Sequence, residues 1–416
     1  MNILNEILDK INENNAILMR IEKSQQLSPT KTESLGPPLH KNSIPAGCYG
    51  IRWDMSEKNK PIKRIGNNIL HKTLPIQSAM KRCVIDDQVL ARIKKFYKRV
   101  QFFGNTVELL VSEHPVHGFT VDPWFVVNGK ELPCQYFGAY KASVIKGKLS
   151  SIAGELPETN KTIVQFRELA RKRGNEYYQV SFFARSAIQL LYLIEYADWD
   201  IQKIIGKGAT DWSFDSWLKY GFKAVNKTGL SEKDGNNSVS VSNGDGKKGS
   251  YMSYRGIENF IGEIDEFLDG FNIKNGLVFL CNDHDKFQSD TDKSYLNTLI
   301  TLPDTGWQQT IALTTMGFIP MITNDDPGSG LFSYIWMSNS GWRVACAGGA
   351  LSYGAGAGVA YLYAAYGSGV ANVSIGSRLC RIPKEDDPEI DEKIIKSNNV
   401  KSSQKNQKKI AEHHGN

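Results

Sequence analysis

The chain has 416 residues, 41% of them hydrophobic and 23% charged, with a formal net charge of +6 at pH 7. Such a length can bury a sizeable core in one large domain or a few small ones. The segment after Ile382 is Lys-bearing but aromatic-free; it reads as a solvated tail, and no nucleic-acid partner is expected.

In chain order, Leu4, Ile7, Ile11, Asn14, Leu18 and Ile21 step alternately by three and four. This is a heptad seam, and residues 1–23 are expected to form a coiled-coil helix that holds identical chains together, with a homotrimer as the expected state. An amphipathic helix packed on its own domain is the alternative. The opening MNILNEILDKINE carries Asn, Glu and Asp too early for the apolar core of a secretion signal, so no export sequence is expected. Residues 24–46, with SQQLSPTKTES and GPP, read as a linker.

From Gly47 to Pro383 the composition is that of a folded domain, with 47–105 as a candidate separate subdomain. Asp86 and Asp87 ahead of Val89, Ile93 and Phe96 predict a helix with an acidic start. Pro123–Val127, Asn128-Gly129 and the apolar run from Tyr136 to Val144 predict a strand, a tight turn and a strand. Thr162 and Gln165 predict a capping box ahead of Ile163, Phe166 and Ala170, with Gly174 as terminator. The stretch from Ala187 to Ala197 is apolar nearly all round and predicts a buried helix, with Gly206 beyond it as a stop. Lys233 to Ser250 reads as a long polar loop, and 384–416 as a polar tail. Two helices followed by short strands and glycine turns predict an α+β domain.

The stretch from Gly341 to Arg381 holds nine Gly, nine Ala and four Tyr but no Lys, Asp or Glu. A membrane span, a phosphate-cradling loop and a glycine-rich display surface compete for it. Its longest weakly apolar run, Gly354 to Ala365, is shorter than the roughly 20 residues that a bilayer requires, so no membrane insertion is expected. GAGAG at Gly354–Gly358 is not G-x-G-x-x-G, and no acidic residue follows until Glu385. Display is left.

Other chemistry is sparse. The six Cys are scattered without a CxxC pair and read as small buried hydrophobes of a reducing compartment, with a Cys346–Cys380 bridge left open. His114, His117 and His284 read as structural. Glu263, Asp265, Glu266 and Asp269, like the run Asn282–Asp285, read as solvated carboxylates in preference to Ca²⁺ ligands, so neither metal nor cofactor is expected. Trp336 and Trp342 read as core aromatics.

Several stretches resemble one family. Met252–Ile273 (MSYRGIENFIGEIDEFLDGFNI), Tyr49–Asp54 (YGIRWD), Arg64–Asn67 (RIGN), His71–Cys83 (HKTLPIQSAMKRC), Phe137–Val144 (FGAYKASV) and Phe166–Gly174 (FRELARKRG) resemble blocks of tail-fibre proteins of gut Bacteroides phages, crAss-like ones included. These blocks occur in the same order and cover most of the domain. Through Gly262–Phe267, Arg343–Gly354 and Ile375–Arg381, those proteins are similar in turn to formylglycine-generating enzymes and C-type-lectin-like phage tropism proteins.

The resemblance implies a C-type-lectin-like α+β domain with irregular short strands and two main helices. Copper oxidation would need two cysteines just after the RGGS-like block, where this chain has Ala350, Ser352 and Tyr353, so no enzyme is expected. The resemblance instead implies display, by Ser352, Tyr353, Tyr361, Tyr363, Tyr366, Ser368 and Asn372, toward a receptor on the host bacterial surface. Half of those tyrosines as core residues is the competing reading. Tyr361 and Tyr363, two apart, point the same way if they share a strand. The expected function is a virion fibre or adhesin subunit in contact with other virion proteins, assembled in the host cytoplasm and exposed on the particle. A head or tail decoration protein is the alternative, and an enzyme that trims surface polysaccharide comes third.

Overall fold

A computed structural model describes residues 44–211, 226–231, 238–242, 248–314, 317–328, 330–385 and 387. The heptad positions Leu4, Ile7, Ile11, Asn14, Leu18 and Ile21 lie outside the described residues, as does most of the linker and of the tail.

The first strands are β1 (Tyr49–Asp54), β2 (Lys63–Gly66), β3 (Lys81–Ile85), β4 (Gln88–Lys94), β5 (Tyr97–Phe103), β6 (Thr106–Ser112) and β7 (Thr120–Val121). Two short helices, α1 (Asn68–Thr73) and α2 (Pro75–Ser78), interrupt them. Next come β8 (Val126–Val127), β9 (Lys130–Glu131), β10 (Cys134–Lys141), β11 (Ser143–Ile145) and β12 (Lys148–Ser150). Helix α3 (Ile163–Arg171), β13 (Tyr177–Gln179), α4 (Phe182–Tyr196) and α5 (Ile201–Ile204) complete the first half. The second half holds β14 (Ser238–Ser242), β15 (Lys248–Tyr254), β16 (Ile257–Glu258), β17 (Asp265–Lys274), β18 (Leu277–Leu280), β19 (Leu296–Thr301), β20 (Gly306–Thr314) and β21 (Gly317–Asn324). It closes with β22 (Tyr334–Met337), β23 (Trp342–Ala347), β24 (Leu362–Tyr366), β25 (Ile375–Gly376) and β26 (Arg378–Arg381).

The main sheet runs in the order β19-β18-β17-β23-β24-β22-β20-β21, with β25 added parallel to β17. Two five-stranded sheets, β2-β1-β6-β5-β7 and β13-β26-β10-β4-β3, come largely from the first half. The molecule is therefore predominantly β. This overturns the expected α+β, C-type-lectin-like domain with two main helices. The predicted helices do form as α3 and α4, but they are a small part of a molecule dominated by three multi-stranded sheets.

The local reason is clearest at Asp86-Asp87, where a helix was expected and a hairpin stands. Both residues have positive φ (50° and 60°), the two-residue turn that suits strand twist, and β3 and β4 pair on either side from Lys81↔Arg92 to Ile85↔Gln88. Asp tolerates this backbone. Asn128-Gly129 makes the predicted turn between β8 and β9, whereas the following apolar run becomes β10, which pairs with β4 and β26. Part of the expected polar loop 233–250 is extended, since β14 pairs with β15.

Helix α3 begins in the expected capping box, with the Thr162 side chain bonded to the Gln165 N–H and the Gln165 side chain to that of Thr162. It buries Ile163, Phe166, Leu169 and Ala170 on one face. Helix α4 is capped by Ser181, ends at the left-handed Ala197, and packs against β1, β17 and β21. All of its residues but Tyr196 are buried. Each large apolar side chain so enclosed is worth about 1.5–3 kcal/mol. The same core takes in Tyr49, Ile51 and Trp53 of β1, so the 47–105 region shares it. All six cysteines are free and buried, and no Cys346–Cys380 bridge exists.

Candidate binding face

The strands β23, β24, β22 and β20 lie side by side in the main sheet. Strand alternation turns Ile335, Leu362, Ala364 and Ala345 into the core. The residues between them face the other way. Trp307 pairs with Tyr334, and Trp336 with Tyr363, across neighbouring strands.

The result is a continuous run of rings. Trp307 and Tyr334 have centroids 5.3 Å apart, Tyr334 and Trp336 5.0 Å, and Trp336 and Tyr363 6.4 Å. Tyr363 stacks on Tyr366 at 4.1 Å. Tyr353, on the loop after β23, lies 6.5 Å from Trp336 and stacks on Tyr361 at 5.3 Å. Trp336 is 40% exposed, which corrects its reading as a core aromatic; Trp342 is half-buried against Phe279, with the Lys274 ammonium 4.9 Å above its ring.

The face has a firm base. Val344 and Cys346, both buried, are the cross-strand partners of Tyr366 and Tyr363 and pack beside them on the same side of the sheet. Asp265, fully buried, accepts the Gly349 N–H at Oδ1 (2.9 Å), while its own N–H donates to the Ser374 carbonyl (2.8 Å). One residue of β17 thus ties down both loops that flank β24. Gly358 supplies close packing: a Cβ there would fall 1.9 Å from the Phe332 carbonyl oxygen. Small residues in this stretch let the backbone segments approach each other.

Of the residues expected at the site, Tyr353, Tyr363 and Tyr366 are half-buried and join the ring cluster, as is Ser352 beside them. Tyr361 is 1% exposed and belongs to the support. It precedes β24 and does not share the exposure of Tyr363. The Ser368 hydroxyl donates to Asp290, whereas Asn372 accepts from the Ser374 N–H (2.9 Å) and hydroxyl (3.0 Å) and so shapes a turn. On sequence alone Trp307 and Tyr334 receive no role and Trp336 is placed in the core, although the alternation Tyr334-Ile335-Trp336 is visible there. Burial pushes the phenol pKa of Tyr353, Tyr361, Tyr363 and Tyr366 upward, so these groups stay neutral hydrogen-bonding hydroxyls.

The acidic block next to this face is not solvated, contrary to expectation. Glu263, Asp265, Glu266 and Asp269 are all buried. Glu266 bonds Arg378 (2.7 Å) and Lys141 (3.0 Å), with Arg185 at 3.8 Å. Burial alone would raise its pKa, but Arg378, Lys141 and Arg185 hold it down at about 2. Burial pushes Glu263 and Asp265 up to about 7. The Arg167 guanidinium forks onto Asp269. These carboxylates have protein partners and form an internal brace.

Among the described residues, Asp283, His284 and Asp285 could converge on a metal ion. Their carboxylates already meet cations, Asp283 with Lys286 (2.8 Å) and Asp285 with Arg171 (2.9 Å). His284 is buried, and Asp285 is exposed.

No family model matches the chain, and no curated protein matches it. Among solved structures it is similar to Treponema denticola variable protein 1, at 11% identity and a TM-score of 0.25, over 73% of this chain and 99% of that one. So slight a likeness carries no argument about fold or function.

Proposed function

We propose that the protein is a bacteriophage virion fibre subunit that binds a receptor on the host bacterial surface and catalyses no reaction there. The virion role is supported by the ordered blocks from Tyr49 to Gly174 and from Met252 to Ile273 that resemble phage tail-fibre proteins. The binding role is supported by one observation above others: Trp336, 40% exposed, sits in the middle of a run of rings held on a rigid sheet. Exposed aromatics backed by a fixed scaffold bind with little loss of side-chain entropy. The carboxyl groups beside the face, those of Asp265 and Glu266, are fully buried and out of reach of a ligand.

The heptad positions Leu4 to Ile21 supply the second part of the reading, a homotrimer. Three copies on one particle raise the effective concentration of weak sites. Deleting residues 1–23 should convert trimer to monomer in sedimentation; an unchanged mass refutes the trimer seam. For the face, Trp336→Ala should reduce adsorption of the particle, or of the purified protein, to host cells by at least tenfold. Adsorption at full strength refutes the receptor role of this face. An image of the particle with the face pressed against another virion protein would establish the decoration role instead.

A further inference from the structure

We infer that the ligand of the aromatic face is a neutral glycan, read as a chain of consecutive pyranose units; this rests on the reading of that face as the binding surface. Charge is the first argument. From Thr305 to Ser377, the span that supplies β20 to β25 and the loops between them, the only charged residues are Asp325, Asp326 and Arg343. Arg343 is turned to its own surroundings, donating to the Trp342 carbonyl (2.8 Å) and the Ser338 hydroxyl (3.1 Å). At the Tyr366 end, Ser368 is held by the exposed carboxylate of Asp290. A ligand bearing phosphate, sulfate or carboxylate is recognised by Arg or Lys, and none of the residues that build the face offers one to it.

Ring chemistry is the second argument. A pyranose has one flank of axial C–H groups, which stacks on an indole or phenol, and a rim of equatorial hydroxyls, which bond to Tyr and Ser. The face pairs those two features: Trp307, Tyr334, Trp336, Tyr363 and Tyr366 supply rings, while the large aliphatic side chains of β22 and β24, Ile335 and Leu362, are buried on the far side. Geometry is the third. The rings stand on three successive strands, β20, β22 and β24, and strands repeat about every 4.8 Å, close to the length of one sugar unit. Each strand therefore offers a ring to a successive sugar along the chain.

The test is retention of the full-length protein in affinity gels cast with neutral polysaccharides (amylose, mannan, galactan) or with anionic ones (dextran sulfate, polygalacturonate). At least one neutral polymer should retard it, equally between about 50 mM and about 500 mM NaCl. Trp336→Ala should reduce retention at least tenfold and Trp336→Tyr should restore most of it, with unchanged circular dichroism in both. Retention by anionic polymers only, lost at high salt yet dependent on Trp336, overturns the neutral-glycan inference and leaves the binding face standing. Retention that Trp336→Ala does not alter puts the site elsewhere and overturns both. No retention by any neutral polymer, or capture of a host surface protein through Trp336, overturns the glycan.

Discussion

Tyr363 and Tyr366 are stacked, with centroids 4.1 Å apart and ring planes 21° from parallel, although three positions separate them on one strand. In a regular strand they would face opposite ways. A β-bulge resolves this: Cys346 pairs with Tyr363 and Val344 with Tyr366, so Ala364 and Ala365 together oppose Ala345. The extra residue turns Tyr366 back onto the face that holds Tyr363. Single and double Ala variants of the pair should show a coupling of about 0.5–1.5 kcal/mol in chemical denaturation. Additive losses would mean that the stack carries no energy of its own.

The brace beneath the face is asymmetric, because one carboxylate serves three cations. Glu266→Ala leaves Arg378 and Lys141 buried without their counter-charge and should cost about 3–5 kcal/mol of unfolding free energy. Urea melts at neutral pH measure it. A loss under about 1 kcal/mol would mean that the cations find other partners.

Asp265 gives the protein a stability that falls as pH rises. Its folded pKa is raised from 3.8 to about 7, so between those values the folded chain holds a proton that the unfolded chain has released. That contribution is lost as pH climbs through this window. Asp265→Asn mimics the protonated form and keeps an oxygen for the Gly349 N–H. It should match wild type near pH 4 and exceed it at pH 8, by about 1–4 kcal/mol. A variant less stable at pH 8 would show that the carboxylate is ionised and paired. Glu266 works in the opposite sense, since its folded pKa is lowered from 4.5 to about 2, and its contribution disappears as pH falls through that range.

Gly358→Ala tests the packing of the glycine-rich stretch. The added Cβ would fall 1.9 Å from the Phe332 oxygen, which is backbone and cannot swing aside. The variant should be destabilised by about 3 kcal/mol or more, or fail to fold. Gly354→Ala serves as the control for space, since a Cβ there meets nothing within 4 Å, and at φ 52° should cost only about 1 kcal/mol.

Local signals were legible wherever a residue type determines its own backbone. The capping box of Thr162 and Gln165, the apolar helix around Ala187–Tyr196 and the Asn128-Gly129 turn could all be read from a few neighbouring residues. Asp86-Asp87 could not, because an acidic pair suits a helix start as well as a left-handed turn, and the choice was made by the β3 and β4 partners. The tyrosines of the candidate face were legible as a group, through the uncharged stretch that carries them. Their division into Tyr361 inside and Tyr363 outside was not, since Tyr361 precedes the strand that sets the alternation.

By itself the sequence determined the composition of this face: rings, hydroxyls and glycines with almost no charge, in a stretch whose longest weakly apolar run is shorter than a membrane-spanning helix. The tertiary structure decided the rest. It brought Trp307, Tyr334 and Trp336 beside Tyr363 and buried Glu263, Asp265 and Glu266. Strand pairing and ion-pair closure join residues far apart along the chain, and no local pattern records which distant partner a given side chain will meet.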